Sequence, residues 1–162
     1  MRAVVQRVIS GAVDVGDERI AAIGRGFAVL VGIGASDRPE DGERLAAKIA
    51  GLRVFEDGAG RMNRSLTETG GTALAIPQFT LYADVRRGRR PDFGGAAPPE
   101  AGARLFDGFC GALRGAGLEV RAGRFGAHMR ITIECDGPVT IVLTSDGWAE
   151  GDLGRKGSSA GG

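Results

Sequence analysis

The sequence predicts a mixed α/β fold, with sheets and helices stacked in three α/β/β layers and two main helices. Short apolar runs broken by Gly and Asp fill the first third of the chain, and similar runs return after residue 117. Between them lie two segments with helical spacing. At 162 residues and 43% hydrophobic content, the chain suits a single domain with a real core.

Residues 3–5, 12–15, 20–23 and 27–33 read as strands in hairpin-like succession. The last of these runs is far shorter than the ~20 apolar residues a membrane span needs. The first is flanked by Arg2 and Arg7, so neither an anchor nor a targeting segment is expected, and the expected location is the cytoplasm. Ser36 or Asp37 can cap a helix opening at Pro39-Glu40-Asp41, with Leu45, Ile49 and Leu52 on one face. Arg53-Val54-Phe55 returns as a strand, and Glu56-Asp57-Gly58-Ala59-Gly60 is dense in turn residues.

From 72 to 82 the chain is strand-like, but its apolar phase moves from even positions (Leu74, Ile76) to odd ones (Phe79, Leu81). A shift of one residue swaps faces, so a bulge or kink is expected at Pro77-Gln78. After an arginine-rich loop, Pro98-Pro99-Glu100 opens a second helix with Leu105, Phe106, Phe109 and Leu113 on one face, closed by Gly115-Ala116-Gly117. Strands at 118–120, 129–135 and 139–143 follow, the last two joined by a turn at Asp136-Gly137-Pro138. About nine strands are expected, in a domain over residues 1–144. Residues 145–162, rich in Gly, Ser and Asp, read as a flexible tail.

A net charge of +1 gives no global basic field, so any nucleic-acid contact must be local. Cys110 and Cys135 lack CxxC spacing and a second histidine, so no metal site is expected and both read as buried free thiols. His128, the single histidine, precedes an alternating run and shares its polar face with Arg130, Thr132 and Glu134. It reads as a partly solvated strand residue, and no Ser-His-Asp triad is signalled.

Pro77-Gln78-Phe79-Thr80-Leu81 and Asp136-Gly137-Pro138-Val139-Thr140 resemble the two signature motifs of the D-aminoacyl-tRNA deacylase family. Val5-Gln6-Arg7-Val8, Met62-Asn63, Arg90-Pro91-Asp92-Phe93 and Gly123-Arg124-Phe125-Gly126-Ala127 follow the same family order across residues 1–144. The resemblance implies a homodimeric hydrolase that cuts the ester of D-aminoacyl-tRNA, or of glycine mischarged on tRNA-Ala, with no cofactor. It further implies a cis Gly137-Pro138 peptide inserted into the partner's active site, where its carbonyls reject L side chains.

In that reading Gln78, Phe79 and Thr80 are catalytic. Backbone amides at Gln78-Phe79 stabilise the oxyanion, Thr80 has a positioning role, and the 2′-hydroxyl of the terminal adenosine activates water. Pro77, Phe125, Ala127, Met129, Val139 and Thr140 would form the substrate pocket. Arg86, Arg87, Arg89 and Arg90 are candidates for tRNA phosphates, since arginine pairs phosphate oxygens bidentately. The chain departs from the family at Pro77, where serine is usual, and a related group that clears L-alanine from mischarged tRNA resembles Pro-Gln-Ala-Thr there. Phe79 and Gly137-Pro138-Val139-Thr140 match the D-specific group instead. A nucleic-acid-binding protein without catalysis is the remaining alternative.

Overall fold

The computed structural model describes residues 1–86 and 88–146. Its organising strand is β1 (Arg2–Val15), 14 residues long. The two expected strands at 3–5 and 12–15 are thus one, because β1 finds partners along its whole length. Its first half pairs antiparallel with β3 (Gly26–Gly32), from Arg2↔Gly32 to Val8↔Gly26. Its second half pairs with β2 (Glu18–Ile23). The other edge of β1 carries β8 (Arg130–Thr144) from Arg2↔Thr144 to Asp14↔Arg130. With β6 (Thr72–Pro77) parallel to β3, and β7 (Glu119–Ala122) parallel to β6, these form a six-stranded sheet. A small hairpin, β4 (Phe55–Glu56) with β5 (Met62–Arg64), stands apart. Of the expected strand at 53–55 only Phe55 is extended and paired.

Helices α1 (Pro39–Ala50) and α3 (Pro99–Gly115) cover one face of the sheet, burying Leu45, Ile49, Phe106, Phe109 and Leu113 against Phe27, Val29 and Val31. On the opposite face Val8, Val13, Ile23, Leu74 and Ile76 form a second cluster, where β2 and the far half of β1 curl over β3 and β6. The layers are therefore α/β/β, with two main helices and one short one, α2 (Leu66–Thr69). Among the described residues, no helix is long and apolar enough to cross a membrane.

Several local expectations are corrected by longer-range partners. The N-cap of α1 is Arg38, whose amide donates to the Asp41 carboxylate at 2.9 Å. Asp37 instead receives the Gly34 amide and the Met1 ammonium. Leu52 lies past the end of α1 but still packs on the core. The strand expected over 72–82 stops at Pro77, and Phe79–Tyr82 is a 3-10 turn, which accounts for the phase change in apolar spacing.

The turn expected at Asp136-Gly137-Pro138 does not join a hairpin, because both its arms pair with β1 rather than with each other. The ladder steps from Gln6↔Thr140 to Val8↔Cys135, so four residues, 136–139, bulge out opposite Arg7. The Gly137-Pro138 peptide is cis, and Gly137 has φ +125°, a conformation L side chains rarely adopt. Cys110 is buried, its thiol pushed up to about 11 by burial, whereas Cys135 is exposed on β8. Ser145 is buried: its amide donates to the Met1 carbonyl at 2.8 Å and its hydroxyl accepts from the Met1 ammonium. Beyond Asp146 the tail lies outside the described residues.

Candidate active site

Pro77 ends β6 level with Val31 of β3. Lacking an N–H, it cannot continue the ladder as a donor. The Gln78 amide makes one more bond, to the Val31 carbonyl at 2.7 Å. With φ −144° and ψ 82°, Gln78 then swings the chain into the 3-10 turn. The turn's first two amides, on Phe79 and Thr80, have no backbone acceptor among the described residues. Of the amides expected for the oxyanion, that of Gln78 is therefore already engaged, while that of Phe79 is open.

The turn borders a cleft of about 550 Å³. Pro77, Gln78 and Phe79 form one wall and Phe125, Ala127, His128 and Met129 the other. The far wall is set by two glycines. A Cβ on Gly123 would stand 2.8 Å from the Met129 sulfur, and one on Gly102 of α3 would stand 2.9 Å from the Phe125 ring. Each glycine thus gives a wall residue its seat, and the Gly123 amide ties that wall to Ala75 of β6 at 2.8 Å. The exposed Phe79 ring packs edge-on against Phe93, centroids 5.0 Å apart.

Thr80 stands beside the cleft, exposed, its hydroxyl accepting from the Gln78 side-chain amide. No carboxylate or imidazole bonds to that hydroxyl among the described residues. A nucleophilic threonine needs such a base. His128 lines the cleft from the segment before β8, without a carboxylate partner among the described residues. Nor do those residues gather three or more His, Cys, Asp or Glu into a possible metal site.

Six expected pocket or catalytic residues, Pro77, Gln78, Phe79, Phe125, Ala127 and Met129, line the cleft together. Gly137, Pro138, Val139 and Thr140 do not. They lie on β8, across β1 and β3 from β6 and about four residues along the sheet from Pro77, a separation on the order of 20 Å. There the Thr140 hydroxyl donates to the Gln6 side chain. The bulge itself is anchored by Arg7, whose buried guanidinium donates to the carbonyls of Asp136 and Val54 and pairs with the Asp136 carboxylate at 3.3 Å. Arg25 adds a second ion pair to Asp136 at 3.5 Å.

Phe93, Ala96, Ala97, Pro99, Gly126, His128 and Ile131 also line the cleft and were not singled out as pocket residues. Phe93 had a signal in its Arg90-Pro91-Asp92-Phe93 run. Gly126 had one in Gly123-Arg124-Phe125-Gly126-Ala127, and His128 was marked only as the single histidine; Ala96, Ala97 and Ile131 carry no such signal.

The arginine loop leaves the turn and returns at Phe93, closed by mutual Asp84 and Asp92 backbone bonds of 2.7 and 2.9 Å. Arg86 is engaged within it. Its side chain grips the Asp84 carboxylate from 2.5 Å, holding that carboxyl at about 2 through side-chain and then backbone hydrogen bonds. Arg87 lies outside the described residues. Arg89 and Arg90 are exposed, with no hydrogen bond or ion pair among the described residues. Among the described residues they are the loop's available cations.

Comparison with solved structures identifies the fold. The fold matches a probable eukaryotic D-amino acid tRNA deacylase with a TM-score of 0.76 at 22% identity, over 88% of this chain and 97% of that one. It also matches the c-Myc DNA unwinding element binding protein with a TM-score of 0.83 at 42% identity, over 89% of this chain and 98% of that one. The family model for D-Tyr-tRNA(Tyr) deacylase matches residues 4–144. A D-aminoacyl-tRNA deacylase of Roseiflexus sp. (strain RS-1) is 57% identical, over 90% of this chain and 94% of its own length. Another, of Desulforudis audaxviator (strain MP104C), is 52% identical over 90% and 97%. The chain belongs to the D-Tyr-tRNA(Tyr) deacylase family, a family of hydrolases.

Proposed function

We propose that the chain is a D-aminoacyl-tRNA deacylase that works as a homodimer in the cytoplasm. It hydrolyses the ester between a D-amino acid and the 3′ end of tRNA, and removes glycine from tRNA-Ala by the same route. The observation that carries this reading is the cleft at Pro77-Gln78-Phe79, where backbone amides are open and the neighbouring Thr80 hydroxyl has no base. Ester hydrolysis needs donors for the developing oxyanion, a role the unengaged Phe79 and Thr80 amides are free to take. The water is activated by the 2′-hydroxyl of the terminal adenosine. Thr80 keeps the Gln78 side chain in place.

Chirality is read by the partner. The carbonyls of Gly137 and Pro138 enter the other protomer's cleft and crowd the space of an L side chain, leaving room for hydrogen or a D side chain. Two observations support this division of labour. The bulge stands far from its own cleft, and the outer edge of β8 is unpaired among the described residues, with Ile131, Ile133 and Val142 exposed. Arg89 and Arg90, exposed on the loop between Asp84 and Phe93, engage tRNA phosphates.

The test compares D- and L-aminoacyl-tRNA, and a D-aminoacyl-tRNA ending in 2′-deoxyadenosine. We expect hydrolysis of the first alone, with Thr80→Ala still active. Fast turnover of the deoxy substrate, or an acyl group trapped on Thr80, would replace the mechanism. A second reading, nucleic-acid binding without hydrolysis, draws on the 42% identical c-Myc DNA unwinding element binding protein. Binding of tRNA with its ester left intact would favour that reading.

A further inference from the structure

The turn that carries Gln78, Phe79 and Thr80 cannot support itself. Its four helical residues, Phe79–Tyr82, include none that is buried. The backbone bonds Leu81 N–H to Gln78 and Ala83 N–H to Thr80 measure 3.3 and 3.0 Å. An isolated 3-10 turn has poor hydrogen-bond geometry and frays easily. Its first end is pinned by the Gln78 amide on Val31. The other end is held from outside the cleft.

Two glycines, Gly34 and Gly32, clear a notch for the Tyr82 ring, and a third, Gly95, borders it. A Cβ on Gly34 would stand 2.7 Å from the ring, one on Gly32 3.2 Å and one on Gly95 3.6 Å. The phenol donates to Asp37 at 3.3 Å, and Asp37 is braced in turn by the Gly34 amide and the Met1 ammonium, each at 2.5 Å. Arg2 closes the notch. Its guanidinium lies 4.3 Å from the Tyr82 ring centre and donates to the Leu81 carbonyl at 3.0 Å, so one side chain grips two consecutive residues of the turn. Neither Tyr82 nor Arg2 lines the cleft; both border a groove on the other side of the turn.

We propose that Tyr82 and Arg2 are positioning residues for the deacylation reaction: together they lock the far end of the 3-10 turn and so keep the Phe79 and Thr80 amides aimed into the cleft. The inference rests on the reading of that turn as catalytic. Because amide aim matters most in the transition state, loosening the clamp lowers kcat and leaves substrate binding almost untouched.

The test measures kcat and KM on D-aminoacyl-tRNA for Tyr82→Leu, Tyr82→Phe, Arg2→Ala and Arg2→Lys, together with melting temperature and amide exchange. We expect Tyr82→Leu to lower kcat roughly ten- to a hundredfold, as misplacements of about an ångström do, with KM inside about twofold. Tyr82→Phe keeps the ring in its notch and restores most of the rate. Arg2→Ala loses rate, and Arg2→Lys restores little of it, since an ammonium cannot both stack and reach the carbonyl as the planar fork does. Amide exchange at Leu81 should quicken in Tyr82→Leu. A fall in melting temperature with kcat and Leu81 exchange unchanged overturns the proposal. If the wild-type chain leaves the ester intact, the deacylase reading fails, and Leu81 exchange alone decides the clamp.

Discussion

Arg7 is the single residue of β1 set against the four-residue bulge, and its fork is spent on two carbonyls and a carboxylate. Substituting alanine would leave the Asp136 and Val54 carbonyls without that donor in a largely buried place. We expect Arg7→Ala to cost about 2–3 kcal/mol, since stranded buried acceptors and a broken ion pair dominate over any gain in chain freedom. Arg7→Lys should recover only part of this, because one ammonium cannot bridge two carbonyls and a carboxylate in the same geometry. Urea unfolding with an unchanged m-value checks both variants. The bulge was misread as a hairpin for a physical reason visible at this residue. Asp-Gly-Pro is sound local turn chemistry, but here both arms pair with β1, a strand more than a hundred residues earlier in the chain, and no local signal announces that partner.

Helix α3 presents Gly102 to the cleft wall, and there two effects compete. Alanine gains about 1 kcal/mol of helix propensity, while its Cβ would meet the Phe125 ring at 2.9 Å. Overpacking a closed core costs about 1–3 kcal/mol, but this ring borders an open cleft and can swing. Gly102→Ala is therefore expected to change stability by less than about 1 kcal/mol and to raise KM by narrowing the cleft, as steady-state kinetics would reveal. The arginine loop responds to pH instead. Asp84 has its carboxyl depressed in the folded chain, so the stabilisation from its Arg86 pair is complete above about pH 4. It is lost only as the pH falls through about 2. A carbon-detected titration of Asp84 should find the pair closed at pH 4 and open at the acid limit. At this scale the two main helices were legible from their apolar spacing, apart from the α1 cap and the reach to Leu52, whereas the four-residue α2 is too short for any spacing to show. The 3-10 turn was not, because an apolar residue at every second position fits a short strand and a tight turn alike.

At the scale of the molecule, β8 is a 15-residue edge strand with a single partner strand among the described residues and exposed apolar side chains, among them Val142 at 73%. Folded proteins rarely leave such an edge uncovered. Val142→Lys should therefore shift the proposed dimer to monomer in sedimentation at micromolar concentration, and take D-amino acid selectivity with it. An unchanged dimer would move the interface elsewhere. The layered class was legible from composition and alternation, and the Pro77-Gln78 phase break marked one wall of the cleft. The other wall was only partly legible. Its seat depends on Gly102 and Gly123, whose meaning lies in the ring and sulfur brought against them from distant segments.

The β1–β8 ladder joins Arg2 to Thr144, almost the full span of the described chain. Contacts this distant in sequence close late and slow the search for the native state. During synthesis β1 can pair with β2 and β3 early, yet its other edge must wait until residues 130–144 have left the ribosome. The nascent chain thus carries an open strand edge for most of its translation. A stalled or truncated product ending before β8 would be left with that edge permanently open, a ready substrate for aggregation or for the chaperones that shield such edges.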